Sequence, residues 1–214
     1  MIKRIALSHS ASFSGAPVLA RPERVSDRLL VWVWRPGGEA GGAAFIDAYV
    51  SEGWNVLEIG CPASDNGRTA AAIVDAAAKS RTRGDGVATI FIADRGTATA
   101  VAQAIILGHR DRLIAGRCGL VTTDAFAEDE FPAVCGELAE IENLATIWAV
   151  DRGERKLRQQ TFKHHAMLQE RRRETHFLVL PDPARSLAQQ LIDSRNPLGR
   201  EARWLLDPVH SRSS

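Results

Sequence analysis

Long apolar runs are missing from this sequence. No segment approaches the roughly 18 consecutive apolar residues that a membrane-crossing helix needs, so no membrane partner is expected and the chain reads as soluble. The basic start Met1-Ile2-Lys3-Arg4 is followed by too short an apolar stretch for a signal peptide, because polar residues intervene by Ser8. Cysteine is scarce. Cys61, Cys118 and Cys135 are scattered, odd in number and without CxxC spacing, which excludes a disulfide framework and a zinc site and suits a reducing, cytoplasmic location. An excess of either charge is also absent. The 27 Lys and Arg balance 26 Asp and Glu, a net charge of +1, so nothing draws the whole molecule toward nucleic acid. Internal repeats and low-complexity tracts are absent too. What remains is a chain of 214 residues, 45% hydrophobic and 25% charged, suited to one globular domain spanning 1–214.

Apolar runs alternate with helical segments along that domain, the pattern of βαβ units and a mostly parallel sheet with helices on both faces, an α/β fold. Strands are predicted over 28–34 (RLLVWVW), 54–59, 87–93, 118–122, 145–150 and 176–180. Helices are expected near 43–52, 69–79, 97–108, 130–141, 153–173 and 184–193. Residues 1–27 are read as an N-terminal hairpin region, with strands over 2–7 and about 12–20, and 195–214 as a C-terminal tail. The run 87–93 is apolar throughout, as a strand covered on both faces requires.

Four stretches carry a resemblance to the α/β-hydrolases between about residues 28 and 193. RLLVWVWRPGG looks like the strand and loop that supply an oxyanion hole. AFIDAYVSEGWNVLEIGCPASDNGRT is similar to the next helix and strand. IFIADRGTATAVAQAIILGHRDRLIAGRCGLV resembles the nucleophile strand, its sharp turn and the following helix and strand. LATIWAVDRGERK is similar to the late strand ending in the triad acid. The resemblance implies a single-domain α/β-hydrolase-like fold without a lid. It places Asp94 at the nucleophile position, in an Asp-Arg-Gly turn similar to that of fluoroacetate-type dehalogenases. There Arg95 would help hold a carboxylate, and a carboxylate nucleophile is chemically competent. Asp151 takes the place of the triad acid, with Asp124 the other position some members use. Gly37 and Gly38 occupy the oxyanion loop, where backbone amides can approach a developing anion.

The departure lies at the base. The position aligned with the family's catalytic histidine is Arg185, in Asp182-Pro183-Ala184-Arg185, and a guanidinium cannot accept a proton near neutral pH. Arg185 is therefore a candidate for holding an anionic group. Of the six histidines, His164 and His165 sit mid-helix and are read as solvated surface. The implied function is a binding module with a degenerate triad, taking a small anionic molecule or a protein partner. The alternative is an active esterase or dehalogenase using Asp94 on a small anionic substrate. VLEIGCPASDNG also resembles the first motif of methyltransferases that use S-adenosylmethionine, but Pro62, Ala63 and Ser64 replace the glycines that a cofactor needs. No cofactor and no metal are expected. Homodimerisation through an edge strand or late helix is left open.

One further feature stands out. Arg152, Arg155, Lys156, Arg158, Lys163, Arg171, Arg172 and Arg173 crowd one helical stretch. The stretch reads as a solvated face or a surface for an acidic partner. It lacks the aromatic interleaving of a nucleic-acid platform.

Overall fold

A computed structural model of the chain describes residues 2–7, 13–24, 26–36, 41–61, 66–81, 88–94, 96–114, 116–171, 174–180 and 185–206. In chain order its elements are β1 Lys3–Ala6, β2 Val18–Arg21, β3 Arg28–Trp34, α1 Gly42–Ser51, β4 Asn55–Gly60, α2 Asn66–Ser80, β5 Ala88–Ala93, α3 Ala98–Arg110, β6 Arg117–Thr122, α4 Phe131–Ala139, β7 Leu144–Asp151, α5 Arg155–Glu170, β8 Glu174–Leu180, α6 Leu187–Ile192 and α7 Pro197–Leu206. The eight strands form one sheet in the order β1-β2-β4-β3-β5-β6-β7-β8. The six from β4 to β8 in that order run parallel. The hairpin β1–β2 joins antiparallel at the β4 edge.

Alternation along the central strands divides the core in two. Leu29, Val31 and Val33 of β3 face one apolar cluster with Phe91 and Ala93 of β5 and Trp148 of β7. Leu30 and Trp32 face the other, with Ile90, Ile92 and Ile147. Helices α2, α3, α4 and α5 cover the first face, and α1, α6 and α7 the second. A strand buried on both sides cannot alternate apolar with polar, so β5 is buried at every position. Aromatic contacts fix the layers. The rings of Trp32 and Phe45 meet edge-on at 4.6 Å, and Phe126 and Trp148 at 5.0 Å. The Tyr49 hydroxyl donates to the Leu191 carbonyl at 3.3 Å, tying α1 to α6, and its burial raises the phenol's pKa.

Helix starts are held in different ways. At the start of α1, Glu58 of the neighbouring strand has its carboxyl pKa raised by burial, an effect opposed by the nearby backbone amides of Gly42 and Gly41. In α6, Ser186 and Gln189 form a capping box, with the Ser186 hydroxyl accepting from the Gln189 N–H at 3.1 Å.

Two expectations need correction. Residues 197–206 are not a tail but helix α7, which buries Leu198, Ala202 and Leu205 against the sheet. His164 and His165 are not solvated surface. They lie on the inner face of α5 and are 4% and 7% exposed. No helix among the described residues is long and apolar enough to cross a membrane.

Candidate functional site at the carboxyl ends of the strands

Because β3 to β8 are parallel, the residues that leave them collect at one end of the sheet, where open α/β sheets bind ligands. Asp94 is the first residue after β5. It is 8% exposed, and its N–H donates to the Val33 carbonyl at 3.0 Å. Its own carbonyl accepts from the Thr97 N–H at 3.0 Å and from the Thr97 hydroxyl at 2.6 Å. Helix α3 starts immediately after, so Asp94–Thr97 is a tight strand-to-helix turn.

Among the described residues of that turn, the one in the left-handed region is Gly96, with φ +74°. A side chain there would be strained, and a Cβ would lie 2.7 Å from a terminal nitrogen of Arg35. The Gly96 N–H donates to Asp124 Oδ2 at 2.6 Å, while Asp124 Oδ1 accepts from the Ala125 N–H at 2.8 Å. Both oxygens of Asp124 are thus engaged by backbone amides. The half-buried Arg35, which leaves β3, lays its guanidinium over Gly96. Asp94, Gly96, Asp124 and Arg35 therefore come together around one turn. In the sequence Arg35 reads only as a strand breaker, since nothing local reveals which strand end its side chain crosses.

The remaining candidates are more dispersed. Asp151 ends β7 at this same end of the sheet, but its Oδ1 accepts from the Gly153 N–H at 2.9 Å, closing a local turn. Arg185 is exposed and pairs with Asp193 at 3.0 Å. The Arg195 N–H and the Arg185 guanidinium hold the Asp193 carboxyl below its usual range. Gly37, Gly38 and Arg95 lie outside the described residues, as do His9 and His210.

The described histidines all have settled surroundings of their own. His164 Nδ1 faces the Phe126 N–H at 3.3 Å, which makes the ring nitrogen an acceptor. Its ring stacks on Phe131 at 4.1 Å, and burial pushes its pKa down to about 4. His165 contacts the Thr175 hydroxyl at 2.9 Å, and burial, aided by nearby His176, lowers its pKa as well. His176 pairs with Glu201 at 3.3 Å, and His109 is exposed in the last turn of α3. The three cysteines are free and buried. Burial raises each thiol to about 12, which leaves no thiolate for nucleophilic attack. No cluster of metal-ligating side chains occurs among the described residues.

Neither protein-family profiles nor curated protein sequences match the chain. Solved structures do. A Klebsiella pneumoniae protein assigned as a dienelactone hydrolase superposes with a TM-score of 0.58 at 11% identity, over 96% of this chain and 99% of its own. A Silicibacter protein assigned as a thioesterase gives a TM-score of 0.58 at 17% identity, over 92% and 83%. A hormone-sensitive lipase from a metagenome library gives 0.55 at 11%, over 89% and 81%. These neighbours do not favour the methyltransferase alternative. Eight strands in one mostly parallel sheet, helices on both faces and this set of neighbours identify the fold as that of the α/β-hydrolases.

Proposed function

We propose that the chain is a binding module built on the α/β-hydrolase fold, with a degenerate catalytic triad and little or no hydrolytic activity. The observation that carries this reading is Gly96. The left-handed, strained position of the strand-to-helix turn from which the fold projects its nucleophile falls on Gly96, which has no side chain, and not on Asp94 two residues before it, and the Gly96 amide is bound to Asp124 at 2.6 Å. Asp124 is thereby committed to the turn and Asp151 to its own loop. Arg185, at the position the resemblance gives to the base, is paired with Asp193. A nucleophile and its base act as a unit, so losing the base removes most of the rate even where Asp94 is intact. What such a cleft retains is attraction for an anion. Arg35 lies over the turn, and Gly37, Gly38 and Arg95 are the further groups that would approach a small carboxylate. The free, buried cysteines suit a reducing compartment, and we place the protein in the cytoplasm.

The test is hydrolysis of p-nitrophenyl acetate by the unmodified protein and by Asp94→Asn. Equal, background-level rates are expected. Robust turnover abolished by Asp94→Asn would overturn the reading in favour of an active esterase or dehalogenase using Asp94. Installing a base with Arg185→His would give a gain of Asp94-dependent activity if the site descends from an active hydrolase.

A further inference from the structure

The sheet ends at β8, which among the described residues pairs only with β7. A strand with one free edge presents backbone N–H and C=O groups to any further strand. Beside that edge the surface is apolar where it ought to be polar. Phe162 of α5 is 54% exposed and Val179 of β8 is 42% exposed. Phe177 of β8 meets Phe162 edge-on, with ring centroids 5.4 Å apart. Phe177 and Val179 are two residues apart on the strand and so project to the same face, the one α5 covers.

An open groove of about 740 Å³ runs along the outer face of α5, lined by Phe162 with Lys156, Arg158 and Lys163, and reaches Phe177 of β8 and Glu128. Among the described residues none of the three cations makes an ion pair. The Arg158 guanidinium reaches only the Arg152 carbonyl, at 3.3 Å. Three unpaired cations against one carboxylate select an occupant that is apolar in the middle and negative at its flanks. The open strand edge selects one with an extended backbone. A second copy of this chain is disfavoured, because a symmetric pairing through β8 presents the same patch from both sides and brings the same cations together.

We propose that the groove along α5, which reaches β8 at Phe177, docks an extended acidic peptide segment of a partner protein. Its backbone adds a strand to β8, an apolar side chain packs on Phe162 and Phe177, and its carboxylates meet Lys156, Arg158 and Lys163. This surface lies at the sheet's last edge, away from the Gly96 turn, so the proposal stands whether or not Asp94 is catalytic.

Selection from a displayed library of random dodecapeptides against the full chain tests it. The expected winners carry acidic residues flanking an apolar one at every second position. A synthetic winner, followed by fluorescence polarisation, should bind at least tenfold more weakly to Phe162→Ala and to Lys163→Glu. Both residues are exposed, so both variants should keep the parent's melting temperature, and Lys79→Glu on the distant α2 should bind as the parent does. Methylating alternate backbone amides of the peptide should abolish binding if a strand is added. Winners without acidic residues, no winners, or equal affinity for Phe162→Ala would overturn the proposal. So would a dimer in sedimentation that Phe162→Ala dissolves, since the groove would then be a self-interface.

Discussion

Acid should loosen this fold through His164, and the size of the effect follows from its surroundings. The ring is 4% exposed, lies among Phe126, Phe131 and Trp148, and uses Nδ1 to accept the Phe126 N–H. Protonation would convert that acceptor to a donor facing another donor and would bury a charge without a counter-ion. The folded pKa is accordingly pushed from 6.5 down to about 4. A histidine depressed in this way is neutral in both states above the unfolded value, so it contributes no pH dependence there. Below pH 6.5 the unfolded chain takes up a proton that the folded chain refuses, and stability is lost as the pH falls toward 4. The full span is worth about 3 kcal/mol, and about 2 kcal/mol of it is gone by roughly pH 5. His164→Asn keeps an acceptor oxygen near Nδ1 and cannot titrate. Urea denaturation of both proteins at a series of pH values between about 7.5 and 5 measures the difference directly. The variant should start less stable, because it loses ring stacking, and the gap should close by about 2 kcal/mol as the pH drops. His165 and the carboxylates titrate in both proteins and cancel. A gap that stays constant over this range would refute the reasoning.

Three further outcomes are expected. Gly199→Ala places a Cβ 2.7 Å from the Gln190 carbonyl oxygen, with backbone of Asp193 equally in the way. Because neither is a movable side chain, the α6–α7 contact should lose about 3 kcal/mol, read as a fall of several degrees in melting temperature. Ser186→Ala removes the hydroxyl that accepts the Gln189 N–H, and thermal denaturation should register about 1 kcal/mol of destabilisation. Gly96→Ala must hold φ near +74° and should cost about 1–2 kcal/mol from backbone strain. The double variant with Arg35→Ala should recover only the steric part, because the Arg35 guanidinium is the far end of a flexible side chain.

The sheet is legible in the sequence because a strand covered on both faces has to be apolar without interruption. RLLVWVW and ATIFIA have no other soluble reading, and the Gly, Pro and charged residues between runs mark the turns. Helix α7 is not legible, for a related reason. Its buried stripe of Leu198, Ala202 and Leu205 is narrow, and Arg200, Glu201 and Arg203 around it make the average polar. The inner face of α5 misleads in the same way, since its buried positions are Thr161, His164, His165 and Leu168. The helical spacing is intact but three of the four residues are polar, so only tertiary contacts reveal which face is inside. The candidate site is legible as a set of strand ends and no further. Asp94, Asp124 and Asp151 can be placed at the carboxyl end of the sheet from topology, whereas the partner of each carboxylate depends on loop geometry that no spacing encodes.

That geometry bears on what the strand ends are for. A tight turn inserted between a buried strand and a buried helix strands several backbone amides away from water, and each needs an acceptor. Here the acceptors are the Val33 and Asp94 carbonyls and the Asp124 carboxylate, which together receive Asp94, Thr97, Gly96 and Ala125. The contacts join β3, β5 and β6 to the start of α3, so the turn locks three central strands and a helix at one point. A carboxylate that accepts two backbone N–H groups is occupied in holding that joint and is poorly placed to orient a base as well. An acid at a strand end can therefore be kept for architecture alone, with a glycine as the left-handed residue beside it. On the proposed reading, Asp124 and Asp151, which position alone makes candidate catalytic acids, serve the turns whose amides they accept.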